Sequence, residues 1–76
     1  MPNKRDQTYI KKFGDNLRNI RHNKGISQGR LSLLADLPLS QVGRIERGEI
    51  NTTIITLSKL ANALQVEPKL LLDFVV

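Results

Sequence analysis

Ser40, Arg44 and Arg47 stand at helical spacing within Leu37-Pro38-Leu39-Ser40-Gln41-Val42-Gly43-Arg44-Ile45-Glu46-Arg47-Gly48. With Pro38 as zero and about 100° per residue, Val42 and Ile45 fall near ~40° and ~340°, while Gly43, Arg47, Ser40 and Arg44 fall near ~140°, ~180°, ~200° and ~240°. One side of this segment is therefore aliphatic. The other carries a hydroxyl, a glycine backbone and two guanidinium groups, with Leu39 and Gln41 on the flanks. A guanidinium fork matches guanine O6 and N7, a hydroxyl serves several bases, and an aliphatic side chain packs on a thymine methyl. Gly43 costs about 1 kcal/mol relative to alanine inside a helix. On an outward face, it suggests close approach of a ligand or drift at a tolerant position.

Other chemistry is poorly provided for. The single histidine, His22, lies between Arg21 and Asn23 on the polar side of a basic stretch and reads as solvated. The absence of cysteine removes disulfides, iron–sulfur clusters and thiolate zinc sites. There is no metal-ligand spacing, no phosphate-cradling glycine loop and no nucleophile–base set. The sequence predicts neither an enzyme nor a cofactor nor a metal centre.

Charge points to a polyanion. Twelve Lys and Arg against seven Asp and Glu leave +5. Residues 1–24 hold seven of those cations against Asp6 and Asp15, so the whole excess sits in the first third of the chain. A sequence pI of about 10.1 suits nucleic acid or an acidic membrane surface. The apolar side of the first helix is needed for the core and is not free to insert into lipid. A solvated basic helix that aids solubility is the plainer alternative. No apolar run is long enough for a membrane span or a signal peptide, so the expected location is cytoplasmic.

The elements that position the basic face follow from periodicity. Seventy-six residues lead us to expect one domain with a small core. Residues 1–7 read as a flexible basic arm, 8–73 as the domain and 74–76 as a tail. Ile10, Phe13, Leu17 and Ile20 mark one face of a first helix from about Thr8 to Lys24, capped by Asp6 or Thr8 and stopped by Gly25. Ser27 caps a second helix with Leu31, Leu34 and Ala35 inward, ending near Asp36. A third opens at Leu37-Pro38 and stops at Gly48. Thr53 caps a fourth with Ile54, Leu57, Leu60, Ala61 and Leu64 inward, and Pro68 opens a short last one to Asp73. No stretch alternates with period two long enough for a strand. The prediction is an all-α bundle of about five short helices, the second and third joined by three or four residues as in a helix-turn-helix.

The stretch Ile26-Ser27-Gln28, then Leu31, then Leu37 to Gly48 ending Arg44-Ile45-Glu46-Arg47-Gly48, closely resembles the Cro/repressor-type helix-turn-helix family, also called the XRE family. The resemblance runs from about Phe13 to Leu72. It implies a lambda-repressor-like fold that binds operator DNA, usually as a homodimer on two-fold-related half-sites. By motif position Leu39, Ser40 and Arg44 reach base edges, with Gln41 nearby. Gln28 holds a phosphate from the start of helix two, with Ser27 and Arg30 beside it. Gly43, Arg47 and Asn51 lie along the backbone, and Arg21 and Glu46 match an internal salt bridge. Glu46 falls near ~80° on the wheel, at the edge of the core, where it avoids the phosphates.

This sequence departs from the family pattern at Gly29, often acidic there, so Ser27 has no capping-box glutamate. Asp36 stands where glycine is common and tolerates a left-handed conformation. Apolar residues surplus to the core, namely Ile50, Ile55, Leu71, Phe74, Val75 and Val76, are candidates for a dimer interface, with Phe74 folding back onto the core as the alternative. Antitoxins, restriction–modification controllers and phage-type repressors share this resemblance. A toxin or other protein partner beside DNA is thus a second reading.

Overall fold

In the computed structural model, which describes residues 3–76, five helices follow one another: α1 (Lys4–Asn23), α2 (Gln28–Ala35), α3 (Leu39–Glu46), α4 (Ile54–Leu64) and α5 (Pro68–Leu71). No strand occurs among the described residues. Each helix starts and stops for a local reason. Asn3 Oδ1 accepts the backbone N–H of Asp6 at 2.8 Å and opens α1. Gly25, at φ +69°, ends it. The hydroxyls of Ser27 and Thr53 accept from Arg30 and Thr56 and open α2 and α4. Asp36 and Gln65 take left-handed conformations that close those two helices. Pro38 precedes α3 without a side-chain cap.

Phe13, Leu17 and Ile20 of α1 meet Leu31 and Ala35 of α2, Val42 and Ile45 of α3, Leu60, Ala61 and Leu64 of α4, and Leu71 of α5 in one apolar core. Asn16 Nδ2 donates to the carbonyls of Leu70 and Leu71 at 2.9 and 3.0 Å and ties α5 to α1. The crossing of α1 and α3 is close enough to exclude a side chain at Gly14. A Cβ there would collide with the backbone carbonyl oxygens of Ile45 and Glu46. α3 therefore rests on a rigid floor made by α1.

Four sequence expectations need correction. Residues 4–7 are the first turn of α1, not a loose arm, while residues 1 and 2 lie outside the described residues. Lys4 to Gln7 are all exposed, so the apolar stripe carries no trace of that turn, and only the Asn3 cap marks it. Leu34 is 45% exposed, because Leu31 and Ala35, one turn apart, occupy the inner line of α2. Ile54 is 78% exposed. It belongs to the aliphatic stripe of α4 but sits in its first turn, on the rim of a hollow of about 160 Å³ also lined by Tyr9, Phe13, Leu57 and Leu72. α5 ends at Leu71 rather than Asp73.

Candidate nucleic-acid interface

α3 turns Val42 and Ile45 fully into the core and leaves Leu39, Ser40 and Arg44 exposed, with Gln41 half-buried. The outward guanidinium and hydroxyl thus stand on a helix whose opposite side is locked. A second anchor fixes its rotation. Arg21 of α1 grips Glu46 through Nε–Oε2 at 2.6 Å and Nη2–Oε1 at 2.9 Å, both side chains being buried. Arg21 Nη1 also donates to the carbonyl of Ile26 at 2.9 Å, so the loop before α2 is held by the same group. Burial is the largest influence on the Glu46 carboxyl and pushes it up. The hydrogen bonds from Arg21 and Gln28, with the charges of Arg21 and Arg18, outweigh it and hold the carboxyl below the usual range. The bond to Glu46 raises Arg21 against the opposing effect of burial. Both stay charged at neutral pH, and the pair expected between helices one and three is present.

The other anticipated residues are exposed, with two exceptions. Gln28, expected to hold a phosphate, donates through Nε2 to Glu46 Oε1 at 2.9 Å, so its amide is engaged inside the protein. Gly43, expected as bare backbone on the outward face, is buried. The Arg47 guanidinium lies across it, and a Cβ there would stand 2.9 Å from Nη1. The wheel angle of Gly43 was sound, but a helical wheel does not include the side chain one turn on that covers it. Ser27, Arg30, Arg47 and Asn51 are exposed.

Glu49 was not anticipated. Gly48, at φ +72°, turns the chain back so that the Glu49 N–H donates to the Arg44 carbonyl at 2.9 Å. Its carboxylate then accepts from Arg47 Nε at 2.6 Å and stands 4.0 Å from Arg44 Nε. Opposite charge two and five residues away, across a glycine that permits the turn, is the only sequence signal of this contact.

The surplus apolar residues divide. Leu71 is 0% exposed and belongs to the core, so it is withdrawn from any interface. Phe74 folds back, half-buried, with its ring edge-on to Tyr9 at 5.0 Å between centroids. Ile50 is half-buried against the core. Ile55 and Val75 remain open at 66% and 87% exposed, and Ile54 joins them.

Two consecutive helices with a three-residue break, the second anchored on one side and polar on the other, define a helix-turn-helix protein. Residues 17–71 match the family described as HTH_3, helix-turn-helix, and the chain belongs to this family of DNA-binding, non-enzymatic transcription regulators. It is 41% identical over 63 residues to the control protein C.BamHI of Bacillus amyloliquefaciens, across 82% of this chain and 78% of that protein. Among solved structures it is similar to the restriction-modification controller protein C.AhdI from Aeromonas hydrophila. That match has a TM-score of 0.80 and 45% identity, over 82% of this chain and 94% of that one. It is also similar to an HTH_3 family transcriptional regulator from Vibrio cholerae, with a TM-score of 0.83 and 30% identity, over 87% of this chain but 37% of the other.

Proposed function

We propose that this chain docks α3 in the major groove of a duplex as one half of a homodimer, and that it serves as the controller of a restriction–modification pair, regulating transcription at its own promoter. The observation that carries the docking is the exposed Ser40–Arg44 face over a helix fixed by Val42, Ile45 and the Arg21–Glu46 pair. Arg44 is suited to a bidentate bond with guanine, Ser40 to an adjacent base edge, and Leu39 to a thymine methyl, with Gln41 beside them. The exposed Arg47, Arg30, Ser27 and Asn51 are assigned to phosphates on either side. Gln28 reaches a phosphate only by using the donor that its bond to Glu46 leaves spare. Gly43 is buried under the Arg47 guanidinium, so a direct phosphate contact at its backbone requires that side chain to move.

The controller role is supported by the similarity to C.BamHI and C.AhdI, each matched over more than three quarters of its own length. That similarity favours this reading over an antitoxin with a toxin partner. A second copy is supported by geometry, since one helix reaches few bases and a two-fold pair doubles them. Footprinting on the DNA upstream of its own reading frame, at two salt concentrations, tests the proposal. Protection of two related half-sites about one helical turn apart, surviving the higher salt, is expected. Uniform protection that vanishes with added salt would overturn it.

A further inference from the structure

Glu49 presents a carboxylate beside the two exposed arginines of the α3 segment, where a polyanion is proposed to bind, and this needs a reason. Fold stability does not supply one. Glu49, Arg44 and Arg47 are all exposed, and exposed ion pairs contribute little to folding. The contact is nevertheless well built. Gly48 supplies the left-handed turn, and the Glu49 N–H is fixed on the Arg44 carbonyl at the end of α3. The carboxylate takes Arg47 with both oxygens, Oε2 at 2.6 Å from Nε and Oε1 at 3.4 Å from Nη2. Its Oε1 also faces Arg44 Nε at 4.0 Å. The Arg47 guanidinium lies across the backbone of Gly43, where a Cβ would stand 2.9 Å from Nη1.

We propose that Glu49 is a specificity-determining residue, an internal anion that occupies Arg47 and shadows Arg44 until base-edge acceptors draw Arg44 away. This rests on the reading of α3 as the DNA-reading helix. A duplex of arbitrary sequence attracts the protein through phosphates alone, and Glu49 opposes that attraction twice. It neutralises a cation that would release counterions, and its own charge repels the backbone. A cognate half-site draws Arg44 to acceptors on base edges and leaves the Arg47–Glu49 pair intact, so operator binding does not carry the cost of displacing the carboxylate. The penalty falls mainly on wrong sequences, a repulsive element that increases discrimination. The hydrogen bond from Arg47 is the largest influence on the Glu49 carboxyl and, with the charges of Arg47 and Arg44, outweighs the opposing effect of burial and holds it below its usual range, so the anion persists at neutral pH.

The test compares the full chain with E49Q, R47Q and the double variant, on the operator found by footprinting and on an unrelated duplex, between 50 and 200 mM salt. E49Q is expected to tighten binding to the unrelated duplex about five- to tenfold and to steepen its salt slope by about one, with a change of less than about twofold on the operator. In the R47Q background the same substitution should shift the unrelated duplex by less than about twofold, since the cation it unmasks is gone. An unchanged or increased ratio of operator to unrelated binding in E49Q overturns the proposal. Equal weakening on both duplexes would make Glu49 a brace for Arg47, and weakening on the operator alone would make it a base reader. A parent protein that binds both duplexes equally would overturn the DNA-reading assignment and this proposal with it. A parent that discriminates, with an unmoved ratio in E49Q, removes the proposal alone.

Discussion

Arg21 and Glu46 concentrate the electrostatic risk of the molecule in one buried contact. A charged pair taken from water is strongly destabilising once one partner is removed, by about 3–5 kcal/mol. Arg21→Met strands the Glu46 carboxylate with Gln28 alone, and urea unfolding at pH 7 should register a loss in that range. The pH dependence follows from the direction of the Glu46 shift. Its folded carboxyl lies below the unfolded value, so its contribution is complete at neutral pH and is lost as pH falls below about 4.3 and through the folded value. The stability gap between the parent protein and Glu46→Gln should therefore be widest at pH 7 and narrow progressively toward pH 2. A gap independent of pH would contradict the ion pair. At this scale the sequence disclosed the pair through the motif, and it disclosed the exposure of Ser40 and Arg44 through helical periodicity. It did not disclose Gln28 on Glu46 or Glu49 on Arg47, because both depend on side-chain reach across a turn and leave no periodic mark.

The helices are set by their ends and by one close crossing. Ser27, Thr53 and Asp36 act at the positions their chemistry predicts, and Ser27→Ala should cost about 1 kcal/mol in thermal or urea unfolding. The start of α1 was hidden because its first turn, Lys4 to Gln7, carries only solvated residues. The outward positions of Leu34 and Ile54 were hidden for a different reason. Periodicity gives an angle around a helix but not whether a neighbour lies beside that turn. Gly14 shows the same limit: nothing local marks it, yet the carbonyls of Ile45 and Glu46 leave no room for a methyl group. Gly14→Ala must push α3 away from α1. The expected result is a loss of about 1–3 kcal/mol from overpacking, with operator affinity falling further than that of Gly25→Ala at an open turn. Equal affinities for the two variants would show that the α1–α3 contact does not position α3.

For the molecule as a whole, the predicted all-α bundle, its helix order and its core are as the structure has them, apart from Ile10, Leu34, Ile54 and Leu71. No helix of the described residues is long and apolar enough to cross a membrane. Ile54, Ile55 and Val75 are exposed, and we propose that the homodimer uses them. Ile55→Glu should shift sedimentation from dimer to monomer while leaving the circular dichroism of the folded chain unchanged. It should also convert binding of paired half-sites into weak binding of single ones. A variant that remains dimeric would place the interface elsewhere.

The central claim, that α3 reads bases through its outward guanidinium, is tested most directly by selecting bound sites from random duplexes with the parent protein and with Arg44→Ala. The parent should select two related half-sites. The variant should bind about 1–3 kcal/mol more weakly and lose its preference at one position in each half-site, keeping the others. If the variant selects the same sequences with affinity reduced uniformly, Arg44 meets only phosphate and α3 is not the reading element.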